Sequence, residues 1–154
     1  MTAAHDAANT AQPNASFTIA IYLVITGLSA ACGLIIEIVA GRMIAPYLGM
    51  SLYTWTAVIA VVLAGFSVGH WIGGWLAEKP SGQARRAVVV SLALAGVSAA
   101  LSLVLLRTLS GPVISLGFPA VPTILLLTSL LFFLPSFFVG IPSPVLTKLA
   151  IDET

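Results

Sequence analysis

Four apolar runs, each long enough to cross a lipid bilayer, dominate this sequence and leave little else to fold. They cover about residues 17–40, 52–77, 87–106 and 121–141. At about 1.5 Å per residue, a helix of roughly 20 residues matches ~30 Å of hydrocarbon. Inside lipid every backbone N–H and C=O needs a partner, so each run is expected to be a helix. The predicted fold class is all-α, a polytopic membrane helical bundle of about four transmembrane helices over residues 17–150. Composition closes off the soluble alternative. Only 7% of the residues are charged, against about 25% in a soluble domain, too few to cover a globule facing water.

Residues 1–16 (MTAAHDAANTAQPNAS) are small, polar and unpatterned, and are expected to be a flexible tail. They lack the basic start of a signal peptide, and the apolar run that follows is too long for one. Residues 151–154 form a short end. Of the connections, GRMIAPYLGMS (41–51) reads as a bent re-entry built on Pro46 and Gly49. EKPSGQARR (78–86) is the hydrophilic loop. TLSGPVISLGFPA (108–120) is apolar but broken by Gly111, Pro112, Gly117 and Pro119, and is expected to lie along the interface or fold back on the bundle.

Basic residues concentrate on the cytoplasmic side of membrane proteins. Lys79, Arg85 and Arg86 fall in the second connection, whereas Arg42 and Arg107 are the only basic residues at the first and third. That places the second loop, and with four spans both termini, in the cytoplasm, as for a bacterial inner-membrane protein. Lys148 fits this side. Tyr47, Tyr53 and Trp55 then mark the outer interface and Trp75 the inner one.

Several function classes find no support in the residues. A net charge of +1 gives no basic stripe for nucleic acid. Cys32 is the sole cysteine, so no internal disulfide or multi-cysteine metal site can form. There is no Gly-rich phosphate turn, no Ser/His/Asp set, no acidic pair and no His/Cys cluster. No catalytic residue, metal or cofactor is assigned, and the chain does not read as an enzyme on its own.

The polar residues inside the spans are the functional candidates, because an ionisable group in lipid is costly. Glu37 lies near the outer end of the first run, with Arg42 five residues on. Five steps turn the chain by about 140°, so the two do not face each other, although a long arginine can curl back. An ion pair pinning the helix end competes with a proton or cation site at Glu37. His70, in the second run, is expected ~20 Å from the level of Glu37, which excludes a catalytic dyad or shared metal. It reads as a packing residue, or else a proton carrier or partner contact. Gly65, Gly69 and Gly73 give one smooth helix face for close packing, either within the bundle or against another chain. Pro135, Pro142 and Pro144 free backbone carbonyls. They read as a bent helix exit or as a hinge aiming residues 145–150 along the inner surface.

The stretch from Gly27 to Pro80 resembles one family, the membrane domain of membrane-bound spermidine-synthase-like proteins. The shared features are Gly27 and Ser29, Glu37 followed by Arg42, the Pro46 and Gly49 bend, and Ser51 with Tyr53. The Gly65, Gly69, Gly73 and Gly74 ladder follows, ending in Leu76 and Ala77. FLPSFFVGIPSPVLTKLA, over 133–150, is similar to that family's next segment. The resemblance implies a helical anchor serving an α/β domain that works on S-adenosylmethionine derivatives. No strand, Gly-rich loop or acidic dyad of an aminopropyltransferase occurs in this sequence, so polyamine synthesis does not carry over to it.

Three functional expectations follow. The first is a non-catalytic membrane subunit that anchors or stabilises another protein subunit or a larger complex in the bilayer. The second is a small dimeric transporter with its site at Glu37. The third is the membrane part of a two-chain aminopropyltransferase-like or methyltransferase-like enzyme.

Overall fold

The computed structural model describes residues 2–153, with side chains from Ser16 onward. Five helices follow one another: α1 (Thr2–Leu48), α2 (Leu52–Ala77), α3 (Ser81–Ser115), α4 (Ala120–Gly140) and α5 (Pro142–Asp152). Four apolar spans are long enough to cross a membrane: Ser16–Leu48, Leu52–Ala77, Ser81–Ser115 and Ala120–Asp152, the last joining α4 to α5. The chain is therefore an all-α bundle of four spans, with the character of an integral membrane protein. Residues 1–15 of the expected N-terminal tail fall outside the described side chains.

The helices begin and end elsewhere than the sequence predicts, for identifiable reasons. The first helix does not stop near Ala40 but runs on to Leu48. Gly41 is not part of a turn: its bare Cα lies under the Trp55 ring, where an added Cβ would come 2.9 Å from the ring carbons. The helix ends instead at Gly49, whose φ of 78° is left-handed and whose N–H donates to the Ala45 carbonyl at 2.9 Å. Ser51 then caps α2 by accepting from the Thr54 N–H at 3.2 Å. Likewise 108–115 is not an interfacial loop. α3 continues through Pro112 to Ser115, and the reversal waits for Gly117, at φ 69°. In the second connection, α3 already begins at Ser81, leaving 78–80 to make the turn.

α2 and α4 form the central seam. Along it Gly65 meets Phe133 and Ser136, Gly69 meets Phe137 and Gly140, and Gly73 meets Ile141 and Pro144. The numbers rise together, so the two helices run parallel. α1 crosses α2 the other way, with Gly41 under Trp55 and Gly33 under the Phe66 ring. Two apolar cores stack along the bundle. Ile44, Val58, Val62, Leu127 and Leu131 fill the half toward the α1–α2 turn. Tyr22, Ala84, Val88, Val145 and Leu146 fill the half toward the α2–α3 turn. Lipid offers little hydrophobic drive for helix association, so close packing and buried hydrogen bonds carry the cohesion.

The proline-rich exit also departs from expectation. α5 does not lie along a surface: Val145, Leu146 and Leu149 are buried in the second core, against α1, α2 and α3. Ile141 keeps helical dihedrals between α4 and α5. Pro142 and Pro144 fall in the first turn of α5, where a missing N–H leaves no bond unmade within that helix. Pro135, fully buried, interrupts the hydrogen-bond ladder of α4 but not the helix.

Candidate functional site

The three ladder glycines, Gly65, Gly69 and Gly73, are buried against α4 and α5. A Cβ on Gly65 would stand 2.8 Å from the Phe133 carbonyl oxygen, and one on Gly73 2.5 Å from that of Ile141. The smooth face is thus occupied within the chain. Gly74, one position on, meets nothing within 4 Å. Pro144 touches Gly73 in the same seam, Pro142 is buried in the first turn of α5, and Pro135 lies away from α2, in a cleft with Ile36, Met43 and Ser102 of α1 and α3.

Glu37 is deeper than expected. Because α1 continues to Leu48, the carboxylate lies eleven residues before the helix end, ~16 Å along the axis. The side chain is half-buried on the ridge of Gly33 and Gly41, which packs against α2, whereas Ile35, Ile38 and Val39 are exposed on the bundle's exterior. Among the described residues the ion pairs are Arg85–Glu153 at 3.2 Å and Lys148–Asp152 at 2.7 Å. Neither Glu37 nor the exposed Arg42 takes part, so the pair considered for this helix end does not form. Tyr53 is also exposed, on the first turn of α2.

His70 lies at a different level. It shares a cleft of about 400 Å³ with Ser29, Ala30, Leu34, Phe66 and Ser143, between α1, α2 and the α4–α5 junction. Its level on α1 is thus seven or eight residues from Glu37, ~11 Å rather than ~20 Å, since α1 extends beyond the end assigned from sequence. His70 Nδ1 is 2.7 Å from the Phe66 carbonyl oxygen. An oxygen there only accepts, so Nδ1 carries the proton and, in the neutral ring, Nε2 keeps its lone pair. Ser29 is 4% exposed, and its hydroxyl has no hydrogen-bond partner. That is unusual for a buried polar group.

Ser29 and Ser143 were not singled out as site residues. The available signal was a serine amid apolar residues at a level facing His70, which becomes legible only once the α1–α2 register is known. Arg107 shares a cleft with Met43 and Tyr47 toward the α1–α2 turn, while Lys79, Arg85, Arg86 and Lys148 lie toward the α2–α3 turn. Lys79 caps the Trp75 ring at 4.3 Å, and Arg85 lies 6.0 Å from that of Tyr22. Among the described residues no cluster of three or more His, Cys, Asp or Glu could hold a metal ion. No protein-family model, curated protein or solved structure matches this chain.

Proposed function

We propose that this protein is a non-catalytic membrane subunit whose first helix docks another protein inside the bilayer. One observation carries the reading: the most apolar stretch of α1 is 17% buried, against 56% for the last span, and Ile35, Ile38 and Val39 stand exposed along one of its faces. A partner helix laid along the exposed Ile35, Ile38 and Val39 supplies the missing packing. The glycine ladder is already used inside the chain, so the docking face is α1 rather than α2. The charge bias toward Lys79, Arg85, Arg86 and Lys148 supports cytoplasmic termini, and the resemblance to spermidine-synthase-like membrane domains supports a bacterial inner membrane. On the same ground a soluble aminopropyltransferase-like or methyltransferase-like subunit is the class of companion a two-chain enzyme would bring.

The test places a photo-crosslinking residue at Ile38, and separately at the exposed Val97 of α3, in the protein within its native membrane. A single defined adduct from position 38, absent from position 97, is the expected result. Purification as a lone chain with no position-specific adduct overturns the reading.

A second reading draws on the Glu37 carboxylate. With no ion pair between Glu37 and Arg42, no arginine competes with a cation held at the carboxylate, which favours a dimeric transporter built on Glu37. Proton-coupled flux in proteoliposomes, abolished by Glu37→Gln, would select it. An Ile38 adduct between two copies of this chain would accompany it.

A further inference from the structure

We infer that the cleft around Ser29 and His70 binds the head of an uncharged single-chain amphiphile, a long-chain carboxylic acid or alcohol drawn from the bilayer. The inference is independent of the docking role of α1. Three polar side chains line the cleft, Ser29, His70 and Ser143, and the first two keep hydrogen-bonding capacity that the fold does not use. The Ser29 hydroxyl is 96% buried by its surroundings and unpartnered, and turning about χ1 swings it between staggered positions. The His70 ring is fixed by its Nδ1 bond to the Phe66 carbonyl, which leaves Nε2 as an acceptor in the neutral ring.

Together the two groups offer one acceptor and one hydroxyl that donates or accepts. A protonated carboxyl head is reciprocal to this pair: its O–H donates to Nε2 while its carbonyl accepts from Ser29. An alcohol satisfies the same two groups with a single oxygen. The rest of the lining excludes other heads. No Lys or Arg lines the cleft to receive a phosphodiester, and no Asp or Glu to receive a quaternary ammonium. Ala30, Leu34, Leu63 and Val139 supply an apolar wall, and Leu34 and Leu63 are themselves exposed on the bundle's exterior, so an acyl tail leaves directly into lipid. A volume of about 400 Å³ lies at the small end of ligand sites, suited to a head and the first part of a chain.

The experiment uses the full chain in lipid nanodiscs with two probes, palmitic acid and hexadecanol, each carrying a diazirine near the head. Labelled peptides are mapped by mass spectrometry, with unlabelled probe as competitor. Saturable labelling of the segments around Ser29 and His70 is expected, reduced about tenfold in His70→Phe and in Ser29→Ala, the size of one lost hydrogen bond. His70 is exposed, so its replacement leaves the packed seam intact, and Val97→Phe on the outer face of α3 serves as a control that keeps full labelling. The probe that saturates names the head group; saturation by both fits the shared chemistry. Labelling spread evenly over all lipid-facing helices, competed by neither amphiphile, or undiminished in either variant overturns the inference.

Discussion

The Ser102 hydroxyl on α3 donates a 2.6 Å hydrogen bond to the Leu131 carbonyl on α4, four residues before Pro135. That carbonyl would ordinarily accept from the N–H of residue 135, which proline lacks. One serine from a neighbouring helix thus fills the gap, as irregularities in membrane helices require. Ser102 is buried, and its hydroxyl also lies 2.9 Å from the Ser98 carbonyl.

Ser102→Ala is therefore expected to leave a buried carbonyl unpaired and to lower stability by ~1–3 kcal/mol. Pro135→Ala restores a backbone donor to Leu131. In that background the serine replacement should cost less than ~1 kcal/mol, an interaction readable by a double-mutant cycle. Thermal unfolding in a mild detergent, followed by loss of monodispersity, measures all four proteins. Equal losses in both backgrounds would break the link between the two residues.

At the central seam, Gly69→Ala drives a Cβ into the Phe137 carbonyl, which is backbone and cannot step aside. Overpacking of this kind typically costs ~1–3 kcal/mol, and the same detergent assay should show it. Gly74→Ala points into open space and should be neutral or slightly stabilising, because alanine favours helix over glycine by ~1 kcal/mol. A reversed order would mean that α2 meets α4 through another face.

The ends of α1 and α3 give a matched pair. Gly49→Ala and Gly117→Ala each force a side chain into the left-handed region, at ~1–2 kcal/mol per residue. Gly96→Ala, inside α3 with nothing within 4 Å, is the control and should not destabilise. Protease nicking at the α1–α2 turn offers a second readout for Gly49.

Glu37 and Arg42 should behave independently. With no ion pair between them, the stability changes of Glu37→Gln and Arg42→Gln should add in the double variant to within ~0.3–0.5 kcal/mol. A double variant distinctly more stable than that sum would point to a pair formed in the membrane.

The four spans were legible because lipid permits so few alternatives: a run of 20 apolar residues with almost no charge has to be a helix. The Ser51 cap and the need for a donor near Pro135 could also be anticipated, since both rest on local backbone chemistry. The helix ends could not. Gly41 and Gly49 are the same residue type, but one admits the Trp55 ring and the other turns the chain, and only tertiary packing tells them apart. The depth of Glu37 was misjudged for that reason. The nearness of Ser29 to His70 was hidden as well, because it depends on how α1 slides along α2, a register set by the Phe66 ring over Gly33 and the Trp55 ring over Gly41.

That α2 and α4 lie side by side in the same sense has a consequence for how the molecule is built. Parallel neighbours cannot be joined by a tight hairpin, so the contact must wait for two further crossings of the membrane. During synthesis the glycine groove of α2 stands open to acyl chains until α4 arrives and displaces them. Closure of this seam is thereby tied to the arrival of α4, and a chain stalled before it would carry an unfilled groove.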